Sequence, residues 1–307
     1  MRPVLAIIFM LAFLGFWTAP LVSADEIPVE TFARLTPLHL IKSKPEPQDW
    51  LAAHPEPGQT FEEYTALNPP RPDSQHGVIY ITLLGDFDPL RREIIEKAAR
   101  YFEAFYGLPV RFMAPVSEDL IPARARRVHP VTQDPQVLSS YVIDEILLPR
   151  KPDDAYCLIA FTSSDLWPGA GWNFVFGQAS MVDRVGVWSV YRNGDPNLGK
   201  EEYQLCLRRT ISTGIHEIGH MFFLLHCIYY ECTMNGSNHR LESDRRPLWL
   251  CPVCLRKLCW LLNINLLERY QNLAKISQEL GLEQEALFFR ESIRILKQPK
   301  DKNTAEH

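Results

Sequence analysis

The stretch H-E-I-G-H-M-F-F-L-L-H-C-I-Y-Y-E-C-T-M runs from His216 to Met234. It contains H-E-x-x-H with a third histidine six residues after the second. Residues four apart on a helix lie on one face, one turn above the other. A helix through this stretch therefore turns His216 and His220 towards one point, with Glu217 beside the first of them. Three protein ligands at such a point leave a fourth position open for water and substrate, which is the catalytic rather than the structural pattern for zinc. Zinc brings the pKa of a water towards neutrality, and a carboxylate at Glu217 can take and return its proton. The competing reading is an amphipathic helix that carries two histidines for packing. His226, at the right offset, favours the metal.

His226 is not reached by continuing the helix, since it would lie about 9 Å beyond His220 at ~1.5 Å per residue. The chain must break after Met221 and turn back. In zinc hydrolases with the longer motif, a glycine three residues after the second histidine makes that turn, because it accepts positive φ. Here that position is Phe223. A bulky residue at positive φ is strained, so the turn either differs or stores strain. His226 is expected as the third ligand, against the alternative of a packed core histidine.

A second metal pattern follows at once. Cys227 and Cys232 are separated by four residues, and Cys251-Pro-Val-Cys254 by two. A tight C-P-x-C turn directs two thiolates at one ion, and two such pairs fit a tetrahedral structural site. Two disulfides, or buried free thiols, are the other readings. Because His226 and Cys227 are neighbours, a metal held by the four sulfurs would clamp the backbone that presents the third histidine and offset strain at Phe223. Of the remaining cysteines, Cys157 sits in an apolar run and is expected in the core.

These motifs together, with Cys-x-Met ending at Met234, resemble the archaemetzincins, a family of zinc-dependent metallopeptidases. G-S-N-H (Gly236 to His239), D-R-R-P-L (Asp244 to Leu248) and W-N-F-V-F-G-Q-A-S (Trp172 to Ser180) extend the likeness, which runs from about residue 76 to residue 275. The resemblance implies a Met-turn at Met234 beneath the catalytic zinc and two zinc ions per chain, one catalytic and one structural. It implies peptidase activity, with the choice between aminopeptidase and endopeptidase left open. It also implies a metzincin-like α/β (α+β) fold. An upper subdomain carries a mixed twisted sheet and the active-site helix, and a smaller, zinc-stabilised lower subdomain is largely helical. Phe223, where the family has glycine, is the departure.

Working outward, residues 1–24 read as a secretory signal. Met1-Arg2 is positive, Val4 to Trp17 is apolar, and Val22-Ser23-Ala24 is a small-residue cleavage site. The apolar run is short for a membrane span. The expected protein is secreted or periplasmic, the alternative being an uncleaved anchor, with no stable membrane association once the signal is removed. Residues 25–75 form a Pro-rich extension with short helices, such as Phe61 to Leu67. Residues 76–226 are expected as the upper catalytic subdomain, and 227–307 as the lower one with the thiolate site, the Met-turn and C-terminal helices.

Strands are expected at Gly77–Leu84, Leu108–Met113, Tyr156–Thr162 and Val185–Tyr191. Helices are expected at Pro89–Tyr106, Val137–Leu148 and Glu202–Met221, then from Asn265, with a last one from Glu283 to Leu296. Residues 114–133 read as a polar loop, and the region directly after His226 as largely irregular. Val175 to Ser180 reads either as an ordinary loop and strand or as the cleft rim beside which an extended substrate lies.

The 307 residues carry 24 prolines, are 46% hydrophobic and 22% charged, and have a net charge of -5. That mild acidity, with no Lys/Arg stripe, excludes nucleic acid as an evident partner. The functional expectation is a secreted zinc metallopeptidase acting on a peptide or protein, with Glu217 as general base and acid. The alternative is a catalytically impaired, zinc-stabilised peptide-binding protein whose turn Phe223 has spoiled. A zinc hydrolase acting on a non-peptide amide is a third possibility.

Overall fold

A computed structural model describes residues 27–299. The expected signal segment, residues 1–24, lies outside the described residues. Among the described residues no helix is long and apolar enough to cross a membrane.

The strands are β1 (Val78–Leu84), β2 (Val110–Phe112), β3 (Arg126–Val128), β4 (Pro135–Leu138), β5 (Ala155–Thr162), β6 (Asp165–Trp167), β7 (Gly177–Ser180) and β8 (Val185–Ser189). Five form a mixed sheet in the order β2-β1-β5-β8-β7. All neighbours are parallel except β7, which runs antiparallel to β8 at the edge, Gly177 opposite Trp188. The central strands β5 and β8 are buried along their whole length. That explains why they read as continuous apolar runs rather than as alternation.

The helices are α1 (Val29–Leu35), α2 (Trp50–Ala53), α3 (Phe61–Ala66), α4 (Pro89–Tyr106), α5 (Ser139–Tyr141), α6 (Lys200–Met221), α7 (Arg240–Arg245), α8 (Pro252–Leu262), α9 (Leu266–Glu279) and α10 (Glu283–Lys297). α4 begins and ends where its sequence demands. Asp88 caps it by accepting from the Arg91 amide, Pro89 takes the first turn, and Gly107 leaves at φ 67°. Its buried face, from Ile94 to Tyr106, packs on α6.

Two expectations need correction. Residues 114–133 are not all loop, since Arg126–Val128 pairs with β4. The helix expected from Val137 starts only at Ser139, because Val137 is a strand residue registered with Arg126 and Leu166. It then widens into a π-helical stretch at Val142–Leu147. A short apolar run reads equally as strand or helix, and here pairing on both sides decides. The region directly after His226 is irregular as far as His239, as expected, and α7 and α8 follow it. Pro252 of the C-P-x-C turn is the first residue of α8.

α9 packs on α4, where Arg269 Nε donates to the Phe105 carbonyl (2.8 Å). α10 stacks Phe288 on Trp249 at 4.0 Å. One buried cluster thus runs from β1 and α4 through α6 to α8 and α10. The N-terminal extension lies across the segment that follows His226. Ile41 bridges Tyr230, the Lys42 amide donates to the Tyr229 carbonyl (3.0 Å), and α3 packs on α8.

Candidate active site and metal centres

α6 delivers His216, Glu217 and His220 to the floor of a cavity of about 470 Å³ walled by Trp50, Trp172, Phe174, Gly177, Asn238 and Arg246. The helix then ends as the sequence requires. Phe223 stands at φ 64°. Its amide donates to the His220 carbonyl (2.8 Å), and the Leu224 amide to that of Gly219 (3.1 Å). These are the two bonds of a Schellman cap, with phenylalanine in the place that glycine usually takes. The turn is therefore the ordinary one with its strain retained, and it brings His226 back beside the other two histidines.

Ring nitrogens of the three histidines lie within 4.8 Å of one another. Each imidazole is oriented through Nδ1. That of His216 faces the Thr233 carbonyl at 2.9 Å, that of His220 the Leu224 carbonyl at 2.7 Å, and that of His226 the Glu56 carboxylate at 2.9 and 3.1 Å. This leaves Nε2 of each free to face a shared ion. Arg246 Nη1 also lies 2.9 Å from His216 Nδ1. Both nitrogens carry hydrogen when Nδ1 donates to Thr233, so this contact is proximity rather than a bond. Arg246 donates instead to Asn235 O (3.1 Å) and Ser243 Oγ (2.9 Å).

The donor set fits zinc. Zn–N bonds of about 2.0–2.1 Å in a tetrahedron place nitrogens about 3.3 Å apart, and the Nε2 atoms of His216 and His220 are 3.1 Å apart. Burial, with the neighbouring histidines and Arg246 adding to it, holds His216 well below its usual pKa and His220 down to about 3, so both are neutral and able to ligate. Burial pushes the Glu217 carboxyl up to about 7, against the opposing pull of Arg246 and His226.

Met234 is buried under this floor. A Cβ at Gly219 would stand 2.5 Å from its sulfur, so the helix comes this close to Met234 only because residue 219 has no side chain. Met234 thus packs directly against the helix that carries His216 and His220. Gly177 of β7 approaches Glu217 closely, a Cβ there falling 3.2 Å from Glu217 Cγ. The stretch from Val175 to Ala179 thus forms one rim of the cavity.

Cys227, Cys232, Cys251 and Cys254 are buried, unbridged, and have all four sulfurs within 4.8 Å of one another. Cys227 and Cys251 sulfurs are 3.6 Å apart. A tetrahedral site with Zn–S of about 2.3 Å requires about 3.8 Å, whereas a disulfide requires about 2.05 Å. The neighbouring thiols hydrogen-bond to the Cys227 sulfur and pull its pKa well down. Cys157, Cys206 and Cys259 lie apart from this cluster, and Cys157 is in the core as expected.

Residues of the N-terminal extension enter the site although their sequence gives no sign of it. Glu56 and Trp50 touch His226, and Gln59 braces the Phe223 turn. Asp49, His239 and Glu242 also converge, but their polar atoms are already engaged. Asp49 accepts from the Glu46 amide and Arg245, Glu242 from the Trp50 and Asn238 amides, and His239 Nδ1 caps α7. The cluster fastens the extension to α7.

Three histidines and a glutamate at the floor of a cleft, above a buried methionine, define a zinc metallopeptidase. Comparison with known proteins agrees. Residues 153–259 match the model of peptidase family M54. Archaemetzincin-2 of Macaca fascicularis is 36% identical over 262 residues, covering 75% of this chain and 72% of that one. Archaemetzincin-2 of Mus musculus is 37% identical over 258 residues, covering 74% and 71%. The crystal structure of archaemetzincin from Methanopyrus kandleri, at 28% identity, covers 61% of this chain and 96% of that one with a TM-score of 0.49. The chain belongs to the archaemetzincin family.

Proposed function

We propose that this protein is an exported peptidase in which His216, His220 and His226 hold one zinc ion and Glu217 is general base and acid. A second zinc ion is held by Cys227, Cys232, Cys251 and Cys254. The observation that carries the reading is the orientation of the three imidazoles. Each has its Nδ1 committed to a separate acceptor, so three Nε2 atoms face one point beside Glu217.

Zinc bound there supplies Lewis-acid polarisation of a carbonyl and acidifies water. The chain's own residues supply the rest. Glu217, on the cavity floor, is placed to take a proton from a water entering the cleft and to return it to the leaving amine. Gly177 and the β7 edge leave room for extended peptide backbone against the rim. Arg246 and the aromatic side chains of Trp50, Trp172 and Phe174 line the cleft around Glu217. The turn at Phe223 keeps both of its cap hydrogen bonds, which supports a working site over a peptide-binding protein with a spoiled turn. Export rests on the signal-like residues 1–24 alone.

The test is elemental analysis of the purified protein together with a mixed peptide library. Two zinc ions per chain, and cleavage lost in Glu217→Ala, support the reading. One zinc ion, with equal traces from both proteins, moves it to a peptide-binding protein.

A further inference from the structure

His226 differs from its two partner histidines in what holds it. His216 and His220 sit on α6, and each donates to a backbone carbonyl of the segment running on from that helix. His226 lies beyond a strained turn, outside any helix, and its Nδ1 faces a carboxylate 170 positions earlier in the chain. That carboxylate is itself fixed. The Trp50 indole nitrogen donates to Glu56 Oε1 at 2.9 Å, and the Trp50 amide is anchored on Glu242. The Trp50 ring meets the His226 ring edge-on with centroids 5.2 Å apart. Three residues after Glu56, Gln59 Nε2 donates to the Phe223 carbonyl and Gln59 Oε1 accepts from the Leu225 amide, so the same short segment also braces the turn that carries His226.

We infer that Glu56 is the positioning residue of His226, and that the extension from Trp50 to Gln59 completes the three-histidine metal site. The inference rests on the ligand assignment proposed above. A carboxylate on the outer nitrogen of a ligating histidine fixes the tautomer that presents Nε2, sets the plane of the ring and raises its basicity as a ligand. His226 needs this more than its partners do, because no helix fixes its backbone.

The test uses the full chain loaded with Co(II) in place of zinc. The imidazole site reports through its d–d bands and the thiolate site through sulfur-to-cobalt charge transfer, so each affinity is read separately by chelator competition. Glu56→Met fills the space and removes the acceptor. It is expected to weaken metal at the imidazole site by about 10- to 100-fold and to leave the thiolate site unchanged. Glu56→Gln, which keeps an acceptor and loses the charge, is expected to fall between Glu56→Met and wild type. Unchanged affinity at the imidazole site of Glu56→Met, with the thiolate bands intact, overturns the inference. Should Glu56→Met lose the thiolate site as well, Glu56→Gln carries the test, and its equality with wild type overturns the inference. A wild-type chain that binds cobalt only through sulfur overturns the ligand assignment itself.

Discussion

Gln59 holds Phe223 in its left-handed conformation from outside the turn. Its side chain donates to the Phe223 carbonyl at 3.2 Å and accepts from the Leu225 amide at 3.3 Å. Tyr64, from the same extension, donates to the Phe222 carbonyl at 2.8 Å. Buried Lys257 of α8 in turn donates to both oxygens of Gln59. The turn that the sequence marks as strained is therefore braced at three consecutive peptide groups.

The left-handed conformation costs a non-glycine residue roughly 1–2 kcal/mol. Phe223→Gly removes that cost and also removes a half-buried ring that packs on the core. The two effects oppose each other, so the variant is expected within about 1 kcal/mol of wild type by urea denaturation. Phe223→Val keeps the wrong φ in a β-branched side chain and loses the ring. It is expected to be about 2 kcal/mol less stable and to hold less metal at the histidines. Equal midpoints for the two variants would show that the turn is not strained.

Glu217→Gln keeps size and burial while losing the base. Turnover of any peptide that the wild type cleaves should fall at least 10²–10⁴-fold, on the order of a general base's contribution, with zinc content unchanged. Retained turnover would place the base elsewhere, and lost zinc would make Glu217 a structural residue.

Much of this arrangement was legible in the sequence because it is local. The H-E-x-x-H helix, the two cysteine pairs and the strain at Phe223 all depend on residues within a few positions of one another. Helical periodicity and positive φ act over that range. The apolar strands β1, β5 and β8 were legible because burial on both faces leaves no other composition. Glu56 and Gln59 were not legible. Their partners lie about 170 positions away, and the capping box from Thr60 to Glu63 shows only that the chain is ordered there. Val137 was misread for a related reason. Its state is set by pairing with β3 and β6, which no local pattern encodes.

The thiolate cluster is tied to the histidine site by more than the adjacency of His226 and Cys227. Cys254 and Lys257 lie one turn apart on α8, and Lys257 supports Gln59. The Cys251→Ser, Cys254→Ser double variant should lose the thiolate metal and destabilise the chain. It should also lower zinc at the histidines, as the support under the turn loosens. Metal content against a thermal melt measures both. Full histidine occupancy in a folded double variant would disprove the coupling.

His39 gives a pH dependence separate from catalysis. It is buried between the rings of Tyr230 and Phe288, and neither of its ring nitrogens has a hydrogen-bond partner. Burial lowers its pKa to about 4, against a weaker opposing pull from Cys227. A depressed folded-state pKa means that the unfolded chain binds the proton first as pH falls. The stability is thus fully present above the unfolded value of about 6.5 and is lost progressively down to about pH 4. The loss from this one group is bounded at roughly 3–4 kcal/mol. His39→Phe fills the same space without a titrating ring. Its unfolding free energy should fall less steeply than wild type between pH 6.5 and 4, and the two should run parallel above pH 7. Protonation of the thiolates contributes to both proteins alike, so the difference in slope isolates His39. Identical slopes would mean that the ring is reached by solvent and titrates normally.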